Sequence, residues 1–170
     1  MKLTIKLYIV AIFVALVQWC HGADVVKEQK NLLDRIDIQT IGVYRSVDFE
    51  SARYGAGALL GVSLNKYVTL GLSLVAYENG SERAWGGAVI DETSLLVQAS
   101  LLRSDNGKLE LFAVGGGARD WQHDDWAFGC GLGTRLNITK RFYAESSAQV
   151  RAWIHGGRDI FVPFGVGYKF

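Results

Sequence analysis

The stretch Phe142-Tyr143-Ala144-Glu145-Ser146-Ser147-Ala148-Gln149-Val150-Arg151-Ala152-Trp153 decides the fold. Its side chains sort into two alternating rows. One holds Phe142, Ala144, Ser146, Ala148, Val150 and Ala152. The other holds Tyr143, Glu145, Ser147, Gln149, Arg151 and Trp153. A pleated strand points successive residues to opposite faces, so this period of two predicts a strand with one apolar and one polar face.

The same reading extends in both directions. Val68 to Ala76 sets Leu70, Leu72 and Leu74 against Thr69, Gly71 and Ser73. Arg53 to Leu64 sets Tyr54, Ala58 and Leu60 against Arg53, Gly57 and Gly61. Trp126 to Leu136 sets Phe128, Cys130 and Leu132 against Gly129, Gly131 and Arg135. Ile160 to Phe170 sets Ile160, Val162, Phe164, Val166, Tyr168 and Phe170 against Phe161, Pro163, Gly165, Gly167 and Lys169. Three further strands are less regular. Ile36 to Ser46 places Asp37, Gln39 and Arg45 on one row, and Val89 to Leu102 places Glu92, Ser94, Gln98 and Ser100 on one row, broken by Asp91 and Leu96. In Leu109 to Arg119 the run Gly115-Gly116-Gly117 blurs both rows and leaves the facing open.

These eight segments of about 10 residues are each long enough to cross a bilayer at a tilt. Asn65-Lys66, Arg103 to Lys108 and Asn137 to Lys140 read as short turns. Val47 to Ala52, Glu78 to Gly87, Asp120 to Asp125 and Ile154 to Asp159 read as polar, slightly longer loops. The expectation is an all-β, eight-stranded antiparallel up-and-down transmembrane barrel over 36–170, with turns toward the periplasm and loops outward. Aromatic residues near the strand ends suit two membrane interfaces: Tyr44, Tyr54, Tyr77, Trp85, Trp121, Trp126 and Trp153 at one, Tyr67, Phe142, Tyr143, Tyr168 and Phe170 at the other.

The N-terminus reads differently. Lys2 and Lys6 precede an uncharged apolar run, Leu7 to Cys20, with Cys20 and Gly22 as small residues before a cleavage point after Gly22. This is the pattern of a secretory signal peptide over 1–22, with cleavage after Ala23 as the alternative. Gln18 and Trp19 are a poor approach to a lipidated Cys20. Residues 23–35 carry Val25, Val26, Gln29, Leu32, Leu33 and Ile36 at helical spacing, which fits a short interfacial helix or a mobile tail equally. The remaining chain has a formal charge of −1, which provides no basic footprint for nucleic acid. It retains one cysteine, Cys130, so internal disulfides do not staple it.

A soluble barrel of this size would put its apolar row inside. Here the outer row is uncharged and apolar, while the inner row collects Asp37, Arg45, Arg53, Glu92, Arg135, Glu145, Gln149 and Arg151 beside many glycines. An eight-stranded barrel has room inside only for side chains, and charges there need partners. Arg135 is expected to oppose Tyr143 and to reach Glu145 diagonally, with Leu136 paired to Phe142. Arg151 is an alternative partner for Glu145.

Val162, Phe164, Val166, Tyr168 and the terminal Phe170 share one face. This ending resembles the C-terminal signature of bacterial outer-membrane proteins, and the chain resembles the small OmpA/OmpX-like outer-membrane β-barrel class in size and strand count. The resemblance implies a Gram-negative outer-membrane location, recognition by the barrel-assembly machinery, contact with outer-membrane lipid and lipopolysaccharide, and a monomer. It implies a non-enzymatic role in envelope structure or in surface adhesion through the outer loops, with no cofactor and no metal.

Two lipid A-modifying enzymes share the architecture. A deacylase-like site requires a His and a Ser two residues apart on a strand, and neither His123 nor His155 has that neighbour. A palmitoyltransferase-like acyltransferase would draw on an N-terminal helix and on His123, His155, Asp48, Ser46, Ser51 or Ser81 near the outer rim. Such residues are common in loops, and a triad requires convergence in space. His123-Asp124-Asp125 is too contiguous to surround one ion. Asn79-Gly80-Ser81 and Asn137-Ile138-Thr139 read as turns, and the glycine runs lie within strands rather than ahead of a helix. A small solute pore is the third reading, and the narrow lumen disfavours it.

The C-terminal strand generates one prediction. Deleting Phe170, or replacing it with Asp, is expected to cut the amount of folded barrel recovered from membranes sharply. Quantitative fractionation of cells expressing parent and variant checks it, and equal recovery would refute it.

Overall fold

Side chains of alternating exposure run along nearly every element of the computed structural model, which describes residues 35–48, 51–78, 84–85 and 88–170. The expected signal peptide, and residues 23–34 of the expected helix or tail, lie outside the described residues. Ten strands follow in chain order: β1 (Ile36–Val47), β2 (Ser51–Ser63), β3 (Val68–Tyr77), β4 (Ala84–Trp85), β5 (Ala88–Val89), β6 (Glu92–Arg103), β7 (Leu109–Asp120), β8 (Asp125–Asn137), β9 (Phe142–Trp153) and β10 (Arg158–Lys169). Eight of them close into an antiparallel barrel in the order β1-β10-β9-β8-β7-β6-β3-β2, and β4 and β5 pair separately. Closure of β1 on β10 runs from Asp37↔Lys169 to Val47↔Asp159, so the barrel has no free edge.

The strand over 142–153 has the bounds its alternation predicts. Other bounds shift. The strand expected from Val89 starts at Glu92, because Asp91 leaves the ladder. Its carboxylate accepts the Tyr77 N–H at 2.7 Å while its own N–H reaches the Val75 carbonyl. At the far end of β6 the register slips between Ser100 and Leu102. This bulge inserts a residue, so Leu101 and Leu102 are both exposed in sequence and Arg103 comes to oppose Glu110.

The ambiguous facing of 109–119 is resolved by its neighbours. Val114 pairs with Gln98 and Gly131, which puts Glu110, Phe112, Val114, Ala118 and Asp120 inside. The glycines of the inner row permit close approach. A Cβ on Gly131 would collide with the Ala148 carbonyl, and one on Gly57 with that of Leu74.

The turn end is closed by residues 64–67, 104–108 and 138–141, and the loop end by 48–50, 78–91, 121–124 and 154–157. Three loops are shorter than expected because their strands run further, whereas the connection over 78–91 is longer because β6 starts at Glu92. Two rings expected at the interfaces, Tyr77 and Tyr143, turn inward instead and are buried. They occupy inner-row positions, where a phenol can fill the lumen and hydrogen-bond a carboxylate.

The outer surface carries Leu72, Leu95, Phe128, Leu132, Val150 and Phe164 exposed all round the barrel. A continuous apolar belt of this kind greatly exceeds the patches that monomeric water-soluble proteins expose. Leu72 lies mid-strand on that face, with Gly71 buried on the other. Leu72→Arg is therefore expected to destabilise the barrel in lipid by about 2–4 kcal/mol. Reversible unfolding in phosphatidylcholine vesicles checks this, and unchanged stability would reverse the assignment of faces.

Candidate functional site: a closed polar lumen

Inward parity delivers charged side chains from most strands to two levels of the lumen. Near the loop end, Arg45 of β1 and Arg151 of β9 meet three carboxylates. Arg45 donates to Asp159 at 2.7 Å and to Asp120 at 3.1 Å, with Glu92 at 3.4 Å. Arg151 donates to Asp159 at 2.8 Å and to Glu92 at 2.5 Å. Glu92, on β6, also accepts the Tyr77 hydroxyl at 3.0 Å and the Ser94 hydroxyl at 3.2 Å. The Trp153 indole N–H completes Asp159 at 2.8 Å. The guanidiniums pack on rings, Arg45 over Trp153 at 4.5 Å and Arg151 over Phe161 at 4.0 Å. That packing excludes water and holds each planar fork in one orientation.

The second cluster lies toward the turn end. Arg135 directly opposes Glu145 across β8 and β9 and donates to it at 2.7 Å. Gln98 joins both, donating to Glu145 at 2.7 Å and accepting from Arg135 at 3.0 Å. Arg135 stacks at 4.6 Å from the Tyr143 ring centre, and the Tyr143 hydroxyl donates to Asp37 at 2.8 Å. Arg103 reaches Glu110 at 3.0 Å from the bulged end of β6.

The register differs from the expected one by two residues. Leu136 pairs with Ala144, and Asn137 with Tyr143. The Thr139 hydroxyl accepts the N–H groups of Arg141 at 3.2 Å and Phe142 at 2.9 Å, and the Ile138 N–H reaches the Phe142 carbonyl, so the turn is centred one residue later than expected. The facing is unchanged, because two residues restore the same parity. Arg151 serves the loop-end cluster and leaves Glu145 to Arg135.

Between the clusters the inner rows of β1, β6 and β7 are apolar, while β9 contributes Ser147 and Gln149. Ile41 and Val43 separate Gln39 from Arg45 on β1, Leu96 separates Gln98 from Ser94 on β6, and Phe112 and Val114 separate Glu110 from Ala118 on β7. A cavity of about 10 Å³ remains beside Gln39, Gln98, Gln149 and Leu59, enough for about one water molecule. Gln149 is buried there and donates to Ser147 at 3.4 Å.

Seven of the eight polar residues expected in the lumen are thus buried inside it, with Glu92 fully enclosed. Arg53 is not. It opposes Arg45 in the ladder, is half-exposed at the loop end and joins none of the described ion pairs. Repulsion between two adjacent guanidiniums favours this exit to water. Sequence reasoning missed Asp120 and Asp159, assigning both to loops. Their parity was the available signal, since each stands two residues from an inward side chain, Ala118 or Phe161.

At the loop rim His155 pairs with Asp125 at 2.7 Å and His123 with Asp120 at 3.2 Å. No described hydrogen bond joins a serine to either histidine. Asp48 accepts the Arg158 backbone N–H at 2.9 Å. Ser81 lies outside the described residues. Val162, Phe164, Val166 and Tyr168 face outward on β10. The terminal aromatic residues stack edge-on, Tyr168 against Phe142 at 5.1 Å and against Phe170 at 5.2 Å.

Comparison with solved structures assigns the architecture to the small eight-stranded outer-membrane β-barrels, the OmpA/OmpX-like fold. A de novo designed transmembrane β-barrel superposes with a TM-score of 0.53 at 14% identity, covering 84% of this chain and 99% of the design. The N-terminal β-barrel domain of Pseudomonas aeruginosa OprF gives 0.53 at 18%, covering 79% and 97%. The outer-membrane protein OprG of the same organism gives 0.50 at 10%, covering 79% and 95%. At these identities the likeness is one of fold. The sequence matches no protein-family model and no curated protein.

Breaking a buried pair leaves an uncompensated charge and typically costs about 3–5 kcal/mol. A double-mutant cycle of Arg135→Met and Glu145→Gln, measured by unfolding in lipid, is expected to show strong coupling. Additive effects would dissolve the pair.

Proposed function

We propose that this protein is a non-enzymatic integral barrel of the bacterial outer membrane, serving envelope structure or surface adhesion through its outer loops. One observation carries the reading: paired charges and a largely apolar layer pack the lumen among the described residues, and the cavity beside Gln39 and Gln98 has space for about one water molecule. Residues 1–22 serve as the export signal, the turn end faces the periplasm and the loop end faces outward. Lipid and lipopolysaccharide surround the apolar belt, and the barrel-assembly machinery reads the C-terminal strand. The compact loops at 48–50, 121–124 and 154–157 favour envelope structure, while 78–91 is the segment long enough to contact another surface.

A lipid A acyltransferase or deacylase is the competing reading. The His155–Asp125 pair favours it, since a carboxylate can orient an imidazole as a base. Purified protein in planar bilayers is expected to show no stable porin-like conductance, and incubation with lipid A is expected to leave its acyl chains unchanged by mass spectrometry. A steady large conductance would establish a pore, and a change in acylation would establish an enzyme.

A further inference from the structure

The two ends of the barrel differ in how their charges are used. At the loop end Arg45, Arg119 and Arg151 are each paired with carboxylates, and the unpaired Arg53 and Arg158 are offset by the exposed carboxylates Asp48, Glu78 and Asp124. At the turn end Lys66, Lys108, Lys140 and Arg141 are exposed and take part in none of the described ion pairs. They come from all three turns, so they are spread around the rim rather than grouped on one side. Asp105 is the one exposed side-chain carboxylate among the described residues there, since Asp37, Glu110 and Glu145 are buried in the lumen.

Two of these cations are held at the level of interfacial rings. Arg141 donates to the Tyr168 hydroxyl at 2.9 Å, beside the stacked Phe142 and Phe170. The Lys66 ammonium lies 4.9 Å from the Tyr67 ring centre. Tyrosine rings favour the boundary between acyl chains and headgroups, so cations attached to them stand at phosphate depth.

We propose that the turn end is a basic collar that binds the phosphate groups of anionic phospholipids, through Lys66, Lys108, Lys140 and Arg141. The inference rests on the membrane-spanning reading above, which places this rim at the inner leaflet. Charge complementarity carries it: unpaired cations stand on all three turns, two of them beside interfacial tyrosines, with one exposed side-chain carboxylate among the described residues there. A lipid ring held there would fix the vertical position of the barrel and favour insertion where anionic lipid is abundant.

The whole protein is reconstituted in vesicles of equal parts phosphatidylcholine and phosphatidylglycerol, and in phosphatidylcholine alone. Spin-labelled phosphatidylglycerol and phosphatidylcholine then report the lipid immobilised on the barrel. Parent protein is expected to prefer the anionic label by roughly fivefold, the scale of about 1 kcal/mol per effective basic contact, with the preference falling as salt is raised. Replacing Lys66, Lys108, Lys140 and Arg141 together by Gln should bring the ratio to near unity. Arg158→Gln, which removes an exposed cation at the opposite end, should leave it unchanged. Equal immobilisation of both labels by an inserted parent overturns the collar alone, as does a preference that survives the fourfold variant or is lost in Arg158→Gln. Failure of the parent to acquire a protease-resistant inserted form in either vesicle overturns the membrane reading, and the collar with it.

Discussion

The limiting constraint is the width of a closed eight-stranded barrel, which has an interior that side chains must fill completely. Each inward residue therefore has to fit its neighbours in volume and in charge. Glycine meets the first demand where ladders approach closely, as at Gly131 against the Ala148 carbonyl. Shared carboxylates meet the second. Asp159 alone takes hydrogen bonds from Arg45, Arg151 and Trp153.

This arrangement reverses the usual relation between core and surface. Most large apolar side chains of the strands lie on the outside, and most of the strands' charged side chains lie within. In water such a surface would drive association. In lipid it is the solvent-matched face, and closure satisfies every strand edge without water. The lumen's ion pairs add less net stability than their number suggests, because each ion loses its hydration. Their larger contribution is to specify the register, since slipping one strand by a residue would turn paired charges out into hydrocarbon.

The same parity that organises the barrel leaves its two rims with different chemistry. At the loop end Arg45 and Arg151 are drawn into the lumen and Arg119 is paired in a loop, while Arg53 and Arg158 reach water at a rim that also exposes Asp48, Glu78 and Asp124. At the turn end Lys66, Lys108, Lys140 and Arg141 are exposed on turns whose geometry is held by Asn65, Asn106 and Thr139 accepting backbone N–H groups. The described cavity in the lumen holds about one water molecule, so the chemistry that differs between the two ends lies at the rims.

Strand identity and facing were determined locally. The alternation over 142–153 required a strand, and polar residues on one row required a lumen, because period-two patterning does not depend on distant contacts. The partners of each charge depended on more than parity. Arg135 meets Glu145 head-on because the turn closes around residue 140, one position later than expected, which shifts each partner by two and which composition does not reveal. Asp120 and Asp159 join the lumen because closure extends the ladders past the expected strand ends. The facing of 109–119 was settled only by Gln98 and Gly131 on either side, since glycine carries no side chain to signal a face. Arg53 shares the parity of Arg45 yet leaves the lumen, because the ladder sets the two guanidiniums opposite each other and only one finds carboxylates within reach.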